Sequence, residues 1–438
     1  MKLSNSAYVR NFLLSTLIFV GVIASFNFIV DPYGLFRTVD IEGFNTLKPE
    51  FNRNLIHSKT AAIRYVKPES IILGTSRANQ GYDPDHPGWG DEAPYPRFNL
   101  GTPAANIYRM YRLVQHSQSV QPLKQIIFAL DFFSFNAYRA NDGGIDSYVD
   151  VSYEGKPQPF AHLKGLFPAF ISFDAISSSF KTIGDQDLDK VQSTYFFNGF
   201  QYKAGRTYQN RVHYLRGCAR FVKSVYFPPP RRLYDFYDDQ TQRDSFALFR
   251  ELVSMAYTNQ IDLRFAINPP HAYLMEVISR ANIWDKFEEW KRALVDINEE
   301  EAARHNAEPY PIWDFSGYNS VTTQEIPDEQ TLDTGDFYYH EASHFKALAG
   351  DMILDRVLDY QDSEREVPDD FGVRLTSESI EQHLAQIRAD RRFYRRTHAE
   401  EVNDVKEVIE APLKLVRRVQ RGARENQNTL EESLPTED

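Results

Sequence analysis

The sequence predicts an α/β protein: a three-layer fold with a parallel sheet between two helical layers. One transmembrane helix precedes it, an aromatic-rich insertion interrupts it and a helical extension follows it. Three observations carry this expectation. Short runs such as Ser70–Leu73 (SIIL) and Gln125–Leu130 (QIIFAL) are continuously apolar rather than alternating, as strands are when helices cover both faces of their sheet. Segments with apolar residues at helical spacing separate these runs, the rhythm of a parallel sheet with crossover helices. The stretch 12–30 (FLLSTLIFVGVIASFNFIV) carries no charge and is about as long as a membrane-crossing helix needs to be.

In chain order, residues 1–30 are the anchor. Lys2 and Arg10 precede the apolar stretch and Asp31-Pro32 closes it, so the positive-inside bias puts the N-terminus in the cytoplasm and the rest outside. No clear small-residue cleavage site ends the stretch, so it reads as retained, not as a cleaved signal. Residues 31–138 hold a helical pattern at 58–66, strands at 70–73, 97–100 and 125–130, and a helix at 103–117. Thr102 suits the cap of that helix and Pro103 its first position. From 139 to 243 the rhythm breaks. Aromatic residues such as Tyr195, Phe196, Phe197 and Phe200 accumulate beside Pro228-Pro229-Pro230, giving an insertion or lid with a small aromatic core or a sugar-stacking surface.

Residues 244–360 resume the alternation, with helices at 245–258, 271–279, 284–304 and 344–358 and strands at 262–267 and 310–313. Residues 361–424 form a helical extension in which Pro412 predicts a kink. Its end is basic, with Lys414, Arg417, Arg418, Arg421 and Arg424. The polar residues 425–438 predict a disordered tail.

A net charge of −12 argues against nucleic acid as a partner. A single cysteine, Cys218, excludes an internal disulfide framework and a cysteine-rich metal site. No metal-ligand spacing and no phosphate-cradling glycine loop is present, so no cofactor is expected.

Ligands of parallel sheets gather at the C-terminal strand ends, and Ser76, Gly101, Asp131, Asn268 and Asp314 all fall there. A serine hydroxyl becomes a nucleophile only when a base takes its proton, usually a histidine oriented by a carboxylate. The segment 337–354 (FYYHEASHFKALAGDMIL) offers His344 with Glu341 three residues before it. Asp333 and Asp336 are alternative acids, and His340 is a competing base that lacks an acid three residues ahead.

The two motifs resemble those of the SGNH/GDSL hydrolase superfamily. Gly74-Thr75-Ser76 is similar to its Gly-Asp-Ser motif after the first strand, and Glu341-Ala342-Ser343-His344 to its late Asp-x-x-His motif. The likeness covers roughly residues 55–145 and 245–358. It is nearest to membrane-anchored, envelope-facing members such as alginate O-acetyltransferase-like proteins and the D-alanyl transfer protein of lipoteichoic acid. The resemblance implies a flavodoxin-like sheet and serine-dependent acyl transfer or ester hydrolysis on a cell-envelope or exported polysaccharide, with an acyl donor and envelope assembly partners. It places the main domain in a periplasmic or other extracytoplasmic space. It also implies oxyanion donors at the backbone of Ser76 and Gly101. The family's Gly-x-Asn-Asp is replaced here by Asp131-Phe132-Phe133-Ser134-Phe135-Asn136, leaving Asn136 as the side-chain candidate. Arg77 and His271 are candidates for substrate contact. A catalytically silent glycan-binding or scaffold protein is the other class that fits.

Overall fold

A computed structural model describes residues 5–90, 96–139, 142–191, 193–203, 208–333 and 335–432. The chain divides into two compact units.

The first comprises residues 1–69, 112–122 and 143–204. It contains helix α1 (Asn5–Val30), α2 (Leu55–Val66), the second half of α4 (Ile107–Val120), α5 (Leu166–Ile171) and α6 (Phe173–Gly184). Helix α1 is long and apolar enough to cross a membrane, and its apolar side chains are largely exposed. Its C-terminus is stitched down. Asp31 takes a left-handed φ of 47°, and Asn45 Nδ2 and Lys48 Nζ donate to the Val30 carbonyl at 3.2 and 3.0 Å, satisfying an acceptor that every helix end leaves open. Of the insertion's aromatics, Tyr195 is buried and stacked on Phe51 at 4.5 Å, and Phe200 is buried, whereas Phe197 is exposed.

The second unit comprises residues 70–111, 123–142 and 205–438 and contains the six-stranded sheet. Its strands are β1 (Ser70–Leu73), β2 (Arg97–Asn99), β3 (Gln125–Leu130), β4 (Asp262–Ile267), β5 (Ile312–Asp314) and β6 (Val373–Leu375), in the order β6-β5-β4-β3-β1-β2. The first five are parallel and β6 is antiparallel. Ile71, Ile72, Leu73 and Ile126 through Leu130 are almost wholly buried, each large apolar side chain contributing ~1.5–3 kcal/mol relative to exposure. Helices α3 (Ser76–Gly81), α7 (Arg211–Arg220), α8 (Ser245–Thr258), α9 (Ala272–Arg280), α10 (Trp284–Arg304), α11 (Ala347–Leu358), α12 (Ile380–Thr397) and α13 (Ala399–Glu432) complete the unit. Here α8 packs on α10, α3 on α11, and α13 on α7 and α9.

Several boundaries differ from the sequence reading, each for a local reason. The helix expected from Pro103 begins at Ile107, because Thr102 and Ala105 close a turn in which Ala104 adopts φ 55°. Asn106 caps the helix instead, its Oδ1 accepting the Arg109 N–H at 3.0 Å. The extension supplies a strand as well as helices, since β6 pairs with β5. The last helix runs through Pro412 and on to Glu432, beyond the expected start of disorder at 425. Its Glu, Arg and Gln residues are good helix formers, and that intrinsic preference extends the helix. Residues 433–438 of the expected tail lie outside the described residues. The segment 139–243 is shared by both units, residues 143–204 grouping with α1 and residues 139–142 and 205–243 with the sheet.

Candidate active site

Since β2 and β3 lie on opposite sides of β1, the chain reverses its direction of growth there. The C-terminal ends of β1 and β3 therefore flank the crevice where open α/β sheets hold ligands. Ser76 opens α3 just past β1, and Asp131 follows β3. Thr75 shapes this turn: its Oγ1 accepts the Arg77 N–H at 3.2 Å and donates to Asp131 Oδ2 at 2.5 Å.

The segment carrying His344 is a tight hairpin. Tyr339 and Phe345 form an antiparallel bridge; the His340 N–H donates to the His344 carbonyl and the Lys346 N–H to the Tyr338 carbonyl, both at 2.8 Å. Its tip is fixed by the His271 N–H, which donates to the Ala342 carbonyl at 3.0 Å. Inside the hairpin, Glu341 accepts from the backbone N–H groups of Ser343 (3.1 Å) and His344 (3.2 Å) and from Nδ1 of His344. Nε2 of His344 lies 2.7 Å from Ser76 Oγ.

The protonation pattern follows from the acid. Burial is the strongest influence on the Glu341 carboxyl and pushes its pKa up. The hydrogen bond of His344 and the charge it carries when protonated, the Ser343 N–H and the Arg220 guanidinium outweigh it and hold the pKa at about 2. An ionised carboxylate only accepts hydrogen bonds, so Nδ1 carries the proton and Nε2 is left bare to accept the Ser76 hydroxyl. Helix α7 closes over this carboxylate: a Cβ on Gly217 would lie 2.8 Å from Glu341 Oε2.

A second connection ties the two loops together. Arg77 is buried and ion-paired with Asp131, and its Nε donates to the Ser343 carbonyl at 2.8 Å. Its Nη2 donates to Ser343 Oγ at 3.2 Å, and its guanidinium lies over the rings of Phe133 and Phe221. Asp131, Arg77 and Ser343 thus form a chain of polar contacts from the end of β3, through the residue after Ser76, to the residue before His344.

The remaining site candidates fall elsewhere. Arg77, considered for substrate contact, is instead committed inside the protein by that clamp. His271 caps α9, Nδ1 accepting the Tyr273 N–H at 3.3 Å, with Nε2 3.0 Å from the Gln324 carbonyl; it is buried, and burial pushes its pKa down to about 4. Asn136 is also buried. Its amide donates to the carbonyls of Tyr226 and Leu233 at 3.0 and 3.1 Å, so it is engaged away from an oxyanion. The Gly101 N–H donates to Asn99 Oδ1 at 2.8 Å and is likewise engaged. Of the three expected oxyanion donors, the Ser76 N–H alone, at the first position of α3, meets no acceptor among the described residues. Among the alternative acids, Asp333 pairs with Lys346 and accepts from Gln209 at 2.8 Å, while Glu341 faces the imidazole.

The sequence reading missed three contributors: Asp131 as the anchor of the clamp, α7 as the cover of Glu341, and the glycine contact between α3 and α11. A Cβ on Gly350 would come within 1.6 Å of the Gly81 carbonyl oxygen, so these helices meet backbone to backbone. Gly350→Ala must push α11 off α3, with Ser76 on one helix and His344 just before the other. Its expected cost is ~1–3 kcal/mol, read as a lower urea midpoint, together with weakened reactivity of Ser76.

This geometry can support nucleophilic acyl chemistry: a hydroxyl, an imidazole and a buried carboxylate stand in line at the sheet's switch point. Compared with known proteins, no family model matches the chain and no curated protein matches it either.

Proposed function

We propose that this protein is a membrane-anchored, serine-dependent acyltransferase or esterase of SGNH type. It acts on acyl groups of a cell-envelope or exported polysaccharide, with its main domain outside the cytoplasm. The observation that carries the reading is the 2.7 Å approach of His344 Nε2 to Ser76 Oγ with Glu341 on the far ring nitrogen.

In the proposed reaction Ser76 Oγ attacks an ester carbonyl as His344 takes the hydroxyl proton. Glu341 holds the ring and balances the imidazolium. The carbonyl oxygen becomes an oxyanion, to which the Ser76 N–H can donate, and the leaving alcohol departs with the proton from His344. Water or a sugar hydroxyl, deprotonated by the same imidazole, then resolves the acyl-serine. Transfer and hydrolysis differ only in that acceptor, and the likeness to envelope acyltransferases favours transfer. Lys2 and Arg10 ahead of the uncharged stretch 12–30 support a single-pass orientation with the N-terminus in the cytoplasm.

One observation favours the second reading, a silent glycan-binding or scaffold protein: Asn136 and the Gly101 N–H are engaged elsewhere, and each missing oxyanion donor costs ~10²–10³ in rate. The full-length chain in detergent decides between them. Under the enzymatic reading it cleaves a chromogenic acetate ester and is labelled at Ser76 by a serine-directed phosphonate. Ser76→Ala and His344→Ala should abolish both signals. Absence of both from the wild-type protein would favour the silent reading.

A further inference from the structure

The insertion's helices α5 and α6, with the turn that leads into them, expose apolar side chains that the proposed chemistry does not use. Phe160, Leu163, Phe167, Phe173 and Phe180 are all exposed, Phe173 at 91% and Phe167 at 69%. Residues 165–173 (GLFPAFISF) carry no charge. Ser172 Oγ accepts the Ala175 N–H at 3.1 Å and caps α6, which sets Phe173 in the first turn. So many large apolar side chains left exposed between residues 160 and 180 exceed what a water-soluble surface ordinarily shows.

What covers these side chains follows from their attachment. Phe26 and Phe28 of α1 contact Phe180 and Phe170, at ring separations of 5.2 and 6.2 Å. Asn27 Nδ2 donates to the Phe170 carbonyl at 2.6 Å, and its Oδ1 accepts from Ser179 at 2.7 Å. A polar side chain near the end of a spanning helix is costly unless satisfied, and α5 and α6 satisfy it. They are therefore fixed to the last turn of α1. The uncharged stretch 12–30 of α1 follows Arg10; at 1.5 Å per residue it reaches roughly 28 Å, about the ~30 Å thickness of a hydrocarbon core. Its final turn thus sits at the edge of the headgroup layer, the level at which exposed aromatic side chains are most favourable.

We infer that α5 and α6 lie in the surface of the same phospholipid bilayer that α1 crosses, Phe167 and Phe173 dipping below the headgroups. The inference rests on α1 being a spanning helix, and the test separates the two claims. The chain's own Cys218 is fully buried, so single nitroxide labels can be attached to full-length Phe167→Cys and Phe173→Cys proteins in phosphatidylethanolamine–phosphatidylglycerol vesicles. Leu17→Cys on α1 is the lipid reference. Phe393→Cys, exposed on α12, is the water reference.

The expected result is that labels at 167 and 173 collide readily with oxygen and several-fold less with an aqueous nickel chelate than the label at 393 does. Nickel access equal to that at 393, with label 17 in lipid, overturns the inference and leaves the anchor standing. Exclusion of both oxygen and nickel means that protein covers these positions, which also overturns it. A label at 17 that meets nickel freely removes the anchor and this inference together.

Discussion

Glu341→Gln is expected to lower turnover of an acyl ester by about 10⁴-fold while the protein remains folded. A neutral amide at this position no longer stabilises the imidazolium, and it can turn an N–H toward Nδ1, favouring the tautomer that leaves Nε2 protonated and unable to accept the Ser76 proton. Steady-state kinetics should show the loss in kcat more than in KM, because the interaction matters most as charge develops on the ring. The same substitution has a pH signature. The folded pKa of Glu341 is about 2 against an ordinary value of 4.5, so its contribution to stability is fully present above 4.5 and is lost as pH falls toward 2. The unfolding midpoint of the wild type should drop more steeply across that window than that of Glu341→Gln. Parallel curves would count against the carboxylate–imidazole pairing.

Asp131→Ala is expected to destabilise the protein by ~3–5 kcal/mol, because it leaves the buried Arg77 guanidinium without the carboxylate that balances it. Thr75 loses its acceptor as well, so the turn presenting Ser76 is loosened from β3. Urea unfolding measures the first effect and phosphonate labelling of Ser76 the second. The double variant Arg77→Met with Asp131→Ala removes both charges at once and should regain much of the stability without regaining the labelling rate, since the contacts of Arg77 with Ser343 are gone. If Asp131→Ala unfolds at the wild-type midpoint, the pair is not the clamp described above.

The sheet was readable in the sequence because its strands are short apolar runs bounded by polar turns. The run Asp262–Ile267 and the helices Ser245–Thr258 and Trp284–Arg304 occupy the predicted residues. The approach of Ser76, His344 and Glu341 to one another was legible for another reason. A serine just past a strand can be met by a histidine on a later loop, and an acid three residues before a histidine can fold back on it.

The oxyanion donors were less accessible to that reasoning, since whether the Gly101 N–H is engaged depends on the rotamer of Asn99, and no spacing rule encodes it. The clamp was hidden for a similar reason. Arg77 beside a candidate nucleophile looks like an anion receptor until β3 brings Asp131 against it. The approach of Gly81 to Gly350 is a property of two helices far apart in the chain, invisible in either one alone.

Strand β6 has a practical bearing on how the protein can be handled. It comes from the extension, yet it pairs with β5 along the sheet border, and His383 just beyond it reaches Asp314 at 2.8 Å. Cutting the chain near residue 360, just past the end of α11, would strip the backbone partners from the outer edge of β5 and bare a template for pairing with other molecules. The extension is a wall of the domain, and shortened versions that stop before it should clump where the intact chain stays dispersed.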